Sequence, residues 1–238
     1  MKRIILSIVA VALMFTAFVS CNNQSKKEAM KERVNEESKV IAEVEGRQNF
    51  SNLAVITPLP AIMIATYDSN QNPNVMMAAW GGQCGPKQIS FTLGAHKTTT
   101  NLKESMECTI SFATVDDVAE SDYFGTVSAN DVPDKVQKAG FTAIKSPNVN
   151  APIIEQYPLT LECKVVEFNE NEKGGAFVVC DIINMSAKSS ILDENGKIDL
   201  SKLKPIIFDS SHHSYRVVGE EVGKAWDAGK AIIERDAK

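Results

Sequence analysis

Two linked stretches decide how this chain is read: Asn74-Val75-Met76-Met77-Ala78-Ala79-Trp80-Gly81-Gly82, and Ile89-Ser90-Phe91-Thr92-Leu93-Gly94-Ala95-His96-Lys97-Thr98-Thr99-Thr100-Asn101-Leu102. The first is an alternating strand that ends in Ala78, Ala79, Trp80 and two glycines. The second is a strand over residues 88–93 that runs into a cation and three hydroxyls, where a short helix is expected over residues 99–107. The first amides of a helix lack partners and the macrodipole is positive there, so Lys97 with Thr98, Thr99 and Thr100 suits a phosphate. An ordinary capped helix start accounts for the same residues, with Thr at the cap and Lys on the surface. The small residues Ala78, Ala79, Gly81 and Gly82 leave room for a flat group close to the backbone, and Trp80, Met76 and Met77 would wall it. Plain core packing is the simpler account of those side chains taken alone.

Outward from this region, the pattern is mostly β. Residues 60–67 read as a strand, 68–73 as a turn, and 74–79 as the hairpin partner. Further strands are expected over 108–113, 159–168, 176–187, 206–208 and 215–218. Short helices are expected over 116–123 and 133–139, the latter stopped by Gly140, and a terminal helix over 220–234. The expected fold is therefore mainly β with short helices: an antiparallel, six-stranded split barrel with a C-terminal helix. Full-length helices do not alternate with the strands, and no Gly-x-Gly-x-x-Gly follows a strand, which argues against a doubly wound sheet.

The N-terminus carries a different signal. Lys2 and Arg3 precede an apolar run over residues 4–19, followed by Ser20-Cys21. This reads as a signal peptide over 1–20, and Phe18-Val19-Ser20-Cys21 resembles a lipobox with Cys21 as the lipidated residue. Residues 21–49 are polar and charge-rich and read as a tether, leaving 50–238 as one domain. Loss of Lys2 and Arg3 takes the formal charge from −5 to −7. An acidic chain without a basic cluster is a poor nucleic-acid binder, so membrane contact is expected through the lipid. Asn22 after Cys21 favours the outer over the inner membrane.

The remaining motifs are quieter. Cys84, Cys108, Cys163 and Cys180 form no Cys-x-x-Cys pair, and three of them sit in apolar strand patterns, as buried small hydrophobes do. Export would still permit disulfides. His212 and His213, if on a strand, point to opposite faces and cannot share a metal, so no metal site is expected. No nucleophile motif appears, and no catalytic side chain is assigned. Residues 124–135 form a Gly- and Ser-bearing loop that reads as a lid or as a capped loop, with Asp131 at the cap.

In order along the chain, several segments together resemble the flavin reductase-like family, flavoredoxin type. They are Tyr67-Asp68 through Trp80, His96-Lys97-x-Thr99, Phe124-Gly125-Thr126-Val127-Ser128 with Asp134-Lys135, and Ala151-Pro152-Ile153-Ile154-Glu155. Leu161-Glu162-Cys163-Lys164, Asp193-Glu194-Asn195-Gly196-Lys197, Leu203-Lys204-Pro205 and Tyr215-Arg216-Val217-Val218-Gly219 complete the set. The resemblance runs from about Thr57 to Gly223 and implies an FMN-binding split barrel. It implies noncovalent FMN, with the phosphate near His96, Lys97 and Thr99, the ring against Met77, Ala78, Ala79 and Trp80, and Ser128 nearby. It also implies a homodimer with the flavin near the subunit interface. The family's usual Thr-Ala-Ser-Trp-like stretch is Met77-Ala78-Ala79-Trp80 here, so two side-chain hydroxyls are replaced. The chemistry would belong to the flavin, with donor and acceptor unknown. The function implied is an FMN-dependent oxidoreductase or electron carrier. The alternatives are a non-enzymatic flavin- or haem-binding lipoprotein and a surface interaction lipoprotein. His213 is a further candidate pocket residue because Tyr215 lies close by.

Overall fold

The computed structural model describes residues 42, 44–50 and 56–236. The signal peptide, Cys21 and the tether up to residue 41 lie outside these. The chain divides into two compact units, Met1–Ala54 and Val55–Lys238. In the first, the Asn49 side-chain amide donates to the Ala42 carbonyl at 3.2 Å.

The second unit runs β1 (Leu59–Pro60), β2 (Ile62–Tyr67), β3 (Pro73–Ala78), β4 (Gly81–Gly85), β5 (Gln88–Leu93), α1 (Lys97–Ser105) and β6 (Glu107–Phe112). There follow α2 (Val118–Thr126), α3 (Lys135–Lys138), β7 (Ala143–Lys145), β8 (Pro152–Ile154), β9 (Leu159–Glu170) and β10 (Ala176–Ala187). The chain ends with α4 (Leu200–Leu203), β11 (Ile206–Asp209), β12 (Ser214–Val217) and α5 (Lys230–Asp236).

The main sheet has the order β3-β2-β6-β9-β10-β5-β4, and every neighbouring pair in it is antiparallel. β3 and β4 are its two ends, yet only Ala79 and Trp80 join them. A flat seven-stranded sheet would be roughly 29 Å wide at the usual strand spacing. Three peptide steps reach roughly 11 Å at most. The sheet must therefore curl until its edges approach, which gives the expected antiparallel barrel.

Its interior is filled by Ile62 and Ile64 of β2, Phe91 of β5, Ile110 of β6, Leu161 of β9 and Val178 of β10. The intervening β2 residues Met63 and Ala65, with Ala61 just before the strand, pack outward against Phe124, Val136 and Tyr157. Burial on both faces is why residues 61–65 form an unbroken apolar run rather than an alternating one. β1, β11 and β12 make a second, three-stranded sheet, and β7 pairs with β8.

Several expected elements shift. β4 stands where three of five residues are glycines, which favour turns over strands. At Gly81 a Cβ would come within 2.8 Å of the Phe91 Cβ and 2.9 Å of the Ser90 carbonyl. That glycine is therefore demanded by barrel closure and not by a ligand. The first expected strand breaks at Ala61 into β1 and β2. α2 follows a one-turn 3₁₀ segment, Val115–Asp117, whose cap is Thr114 and not Asp116; Thr114 and Asp117 exchange a capping box. α3 has Asp134 at its cap without a side-chain bond, so Asp131 does not cap it, and Gly140 with φ +75° ends the segment as expected. Helical structure at the C-terminus starts only at Lys230.

His212 and His213 lie in the turn between β11 and β12 rather than on a strand, with His213 at φ +49°. The four cysteines after residue 56 are free thiols; Cys84 is exposed and Cys108, Cys163 and Cys180 are buried in the barrel. Among the described residues no helix is long and apolar enough to cross a membrane, and no group of side chains is arranged to hold a metal ion.

Candidate functional site

β3 ends, β5 ends, and α1 begins at one place, because the short link at Ala79 and Trp80 ties the barrel edges together there. A cleft results with two chambers. One, about 320 Å³, is walled by Met77, Ala78, Ala79 and Trp80, with Leu93 behind and Phe208 and Tyr215 across the mouth. The other, about 120 Å³, is a narrower recess bounded by Asn74, Lys97, Ser128 and Lys135. Met76, His96, Gly125 and Thr126 line both, so the two are continuous.

The wide chamber is flat and apolar on one side. Trp80 is 63% exposed, an unusual position for the largest apolar side chain in a chain with only two tryptophans. Gly125 lets α2 approach β3 closely, since a Cβ there would lie 3.2 Å from the Met77 Cβ. On the opposite rim the Tyr215 hydroxyl donates to Asp122 at 2.7 Å. Burial and that carboxylate push the tyrosine hydroxyl's pKa upward, so it stays a protonated donor.

The recess is basic. Lys97 is the first residue of α1, and its ammonium lies 4.0 Å from the Asp68 carboxylate. Burial alone would raise the Asp68 carboxyl, but hydrogen bonds from Asn72 and Asn70, with Lys97 close by, outweigh it and hold it below the usual range. Lys135 is 2% exposed, and among the described residues it has no carboxylate partner. Its ammonium donates to the Val127 carbonyl at 2.7 Å and the Phe124 carbonyl at 3.2 Å, at the negative end of α2. Burial lowers its pKa to about 8. A buried cation bonded only to neutral carbonyls favours an anion beside it.

The structure brings Met77, Ala78, Ala79, Trp80, His96, Lys97 and Ser128 together on this one cleft. Thr99 does not line it. α1 begins two residues earlier than expected, with His96 at its cap, so the three threonines fall inside the first turns. The Thr99 hydroxyl donates to the Gly94 carbonyl at 2.6 Å, and Thr98 accepts from the Asn74 amide at 2.8 Å. Thr99 thus braces the cleft from behind, whereas Thr98 lines the recess while it ties α1 to β3. Ser128 accepts from the Asn130 amide and still borders the recess. His213 stacks near Phe208 at 6.4 Å and does not line the cleft, whereas Tyr215 does.

Asp122 and Phe208 lie in no stretch that the sequence reading singled out, and Asn74, Lys135 and Tyr215 stood in its quoted segments without a site role. Only Lys135 carried a local sign: a lysine beside Val136, in a short helix whose apolar phase it shares.

The site is therefore an apolar chamber beside a basic recess, at one end of an antiparallel barrel. The family model for the flavin reductase like domain matches residues 56–211, and the chain belongs to that family. Its fold is similar to the flavoredoxin of Desulfovibrio vulgaris (Miyazaki F), at TM-score 0.69 and 30% identity over 79% of this chain and 100% of the other. It is likewise similar to the flavoredoxin from Methanosarcina acetivorans, at TM-score 0.71 and 26% identity over 80% of this chain and 100% of the other. An uncharacterized protein of Bacillus subtilis (strain 168), YdfE, is 30% identical over 95 residues, which is 39% of this chain and 45% of the relative. The chain thus matches less than half the length of that curated relative.

Proposed function

We propose that this protein binds FMN noncovalently in the two-chamber cleft and works as a flavin-dependent oxidoreductase of flavoredoxin type. The observation that carries this reading is the junction of an apolar chamber walled by Met77, Ala78, Ala79 and Trp80 with a recess holding Lys97 and the unpaired Lys135. The dimensions and chemistry of the two chambers fit a ring and a phosphate respectively. Trp80 and the methionines offer a polarizable wall for the ring. Lys97, Lys135, His96 and Ser128 hold the phosphate. The two hydroxyls missing from the Met77–Trp80 stretch leave backbone amides as the donors to the ring.

A bound flavin accepts a hydride equivalent or single electrons and passes them on. The chain supplies the rest. Asp122 takes the Tyr215 hydroxyl proton and fixes the ring at the cleft mouth, where the phenol oxygen can still accept a hydrogen bond. Thr99 and Thr98 hold the α1 start in place against β3. Leu93 and Phe208 keep the chamber dry.

We further infer a homodimer, and a mature chain lipidated at Cys21 after loss of residues 1–20, with residues 21–49 as tether and the outer membrane as its site. Pyridine nucleotide is scarce outside the cytoplasm, so a redox protein is the expected donor. The test is an absorbance spectrum of the purified protein, followed by anaerobic mixing with NADH, NADPH and reduced redox proteins. Oxidised-flavin absorbance that bleaches with a donor on a turnover timescale supports the oxidoreductase. A yellow protein that no donor bleaches is a flavin carrier. A colourless protein that takes up no FMN rules the reading out.

A further inference from the structure

A cavity of about 760 Å³ shares no lining residue with the cleft. It opens beside the turn from β4 to β5, at the other end of β5 from Gly94. Its floor is the barrel interior itself: Ile62, Ile89 and Leu161 are 1%, 4% and 6% exposed. Phe112, Ile182 and Met185 extend the apolar wall to the mouth. A volume of this size, mostly apolar with a few polar groups, is typical of a small-molecule site.

The polar groups at the rim differ in what they have left to offer. The Gln83 amide already donates to the Gly85 carbonyl at 3.0 Å. The Asn184 amide is committed to the Glu162 carboxylate at 2.5 Å. Lys87 is exposed at the mouth, and among the described residues its ammonium has neither a carboxylate within 4 Å nor a hydrogen-bond acceptor. β5 pairs with β10 only through Asp181, and the Lys87 carbonyl accepts the next amide, Ile182, at 2.8 Å. The lysine is thus anchored by its backbone at the lip of the slot, with its charge free.

We propose that this cavity is a second ligand site, for an amphipathic organic carboxylate whose hydrocarbon body fills the barrel mouth and whose head group pairs with Lys87. The body must be narrow, since the floor at Ile62 and Leu161 lies within the barrel, where another protein's surface does not reach. The head is assigned as anionic because Lys87 is the one charged side chain among the residues lining the cavity, while Gln83 and Asn184 are neutral amides. Burial of the body supplies the affinity and the charge fixes the orientation. The proposal is independent of flavin binding.

The experiment titrates decanoate and decanol against the purified full chain, with and without added FMN, by displacement of anilinonaphthalene sulfonate and by calorimetry. We expect one site per chain and decanoate at least tenfold tighter than decanol. Lys87→Glu should weaken decanoate tenfold or more and change decanol less than twofold. Met185→Trp, at a half-exposed position, should weaken both ligands by narrowing the mouth, and its unchanged circular dichroism and melting would confirm the fold. Added FMN should leave the decanoate affinity unchanged, whereas failure of FMN to bind would bear on the cleft alone. Absence of saturable binding, equal affinities for acid and alcohol, or full decanoate affinity in Lys87→Glu each overturns the proposal. So does a dimer that Met185→Lys dissociates in a protein that binds no decanoate, because the cavity is then a subunit interface.

Discussion

Lys135 is the residue on which the cleft's chemistry turns. It sits among apolar neighbours, 5.9 Å from the Phe124 ring centroid, and among the described residues its protons go to the Phe124 and Val127 carbonyls. A phosphate in the recess gives it the counter-charge the fold withholds. Lys135→Met and Lys97→Ala should each weaken FMN binding roughly 10- to 150-fold, the worth of a charge-assisted hydrogen bond. Riboflavin, which lacks the phosphate, should bind both variants as it binds the parent; fluorescence quenching titrations with the two flavins check this. The pH dependence has a definite sign. Burial has lowered the Lys135 pKa to about 8, so the recess holds that charge below pH 8 and loses it above. FMN affinity should therefore fall as pH rises through 8, with a slope of up to tenfold per unit, and riboflavin affinity should not. In Lys135→Met that fall between pH 7 and 9.5 should be gone. Equal pH profiles in parent and variant would remove Lys135 from the site.

At the scale of elements, β4 shows how a strand can hide from local patterns. Gly81 and Gly82 look alike in the sequence, yet a Cβ on Gly81 meets Phe91 and the Ser90 backbone, while one on Gly82 meets nothing within 4 Å. Gly81→Ala should destabilise the domain by about 1–3 kcal/mol through overpacking, and Gly82→Ala by less than about 0.5 kcal/mol. Urea melts of the two variants separate these outcomes. α1 teaches a related lesson. Lys97-Thr98-Thr99-Thr100 was legible as a helix start, but not which hydroxyls face the ligand. The Gly94 carbonyl in the link from β5 to α1 and the side-chain amide of Asn74 claim Thr99 and Thr98, and neither contact is visible until β3, β5 and α1 converge.

For the whole molecule, closure of the barrel sets which groups react. Cys108 and Cys163 face each other across β6 and β9, and Cys180 lies on the next strand. Hydrogen bonds with Cys163 and Cys180 and burial push the Cys108 thiol up, away from the reactive thiolate. In the native mature protein a thiol reagent should therefore titrate Cys84 alone, with three more thiols appearing on unfolding; Cys21 stays silent if lipidated. Labelling with a radioactive fatty acid should mark the parent and not Cys21→Ser. The sequence by itself determined the β-rich character, the positions of the longer strands, the polar N-terminal stretch and the grouping of His96, Lys97 and Met77–Trp80 as one candidate region. Those follow from local periodicity, from turn residues and from neighbours in the chain. Only the tertiary structure decided that β4 exists, that the glycine at 81 serves packing, that Thr99 turns away, and that Lys135, Phe208 and Tyr215 join the cleft. These depend on residues far apart in the chain, brought together when a two-residue link forces a seven-stranded sheet to curl.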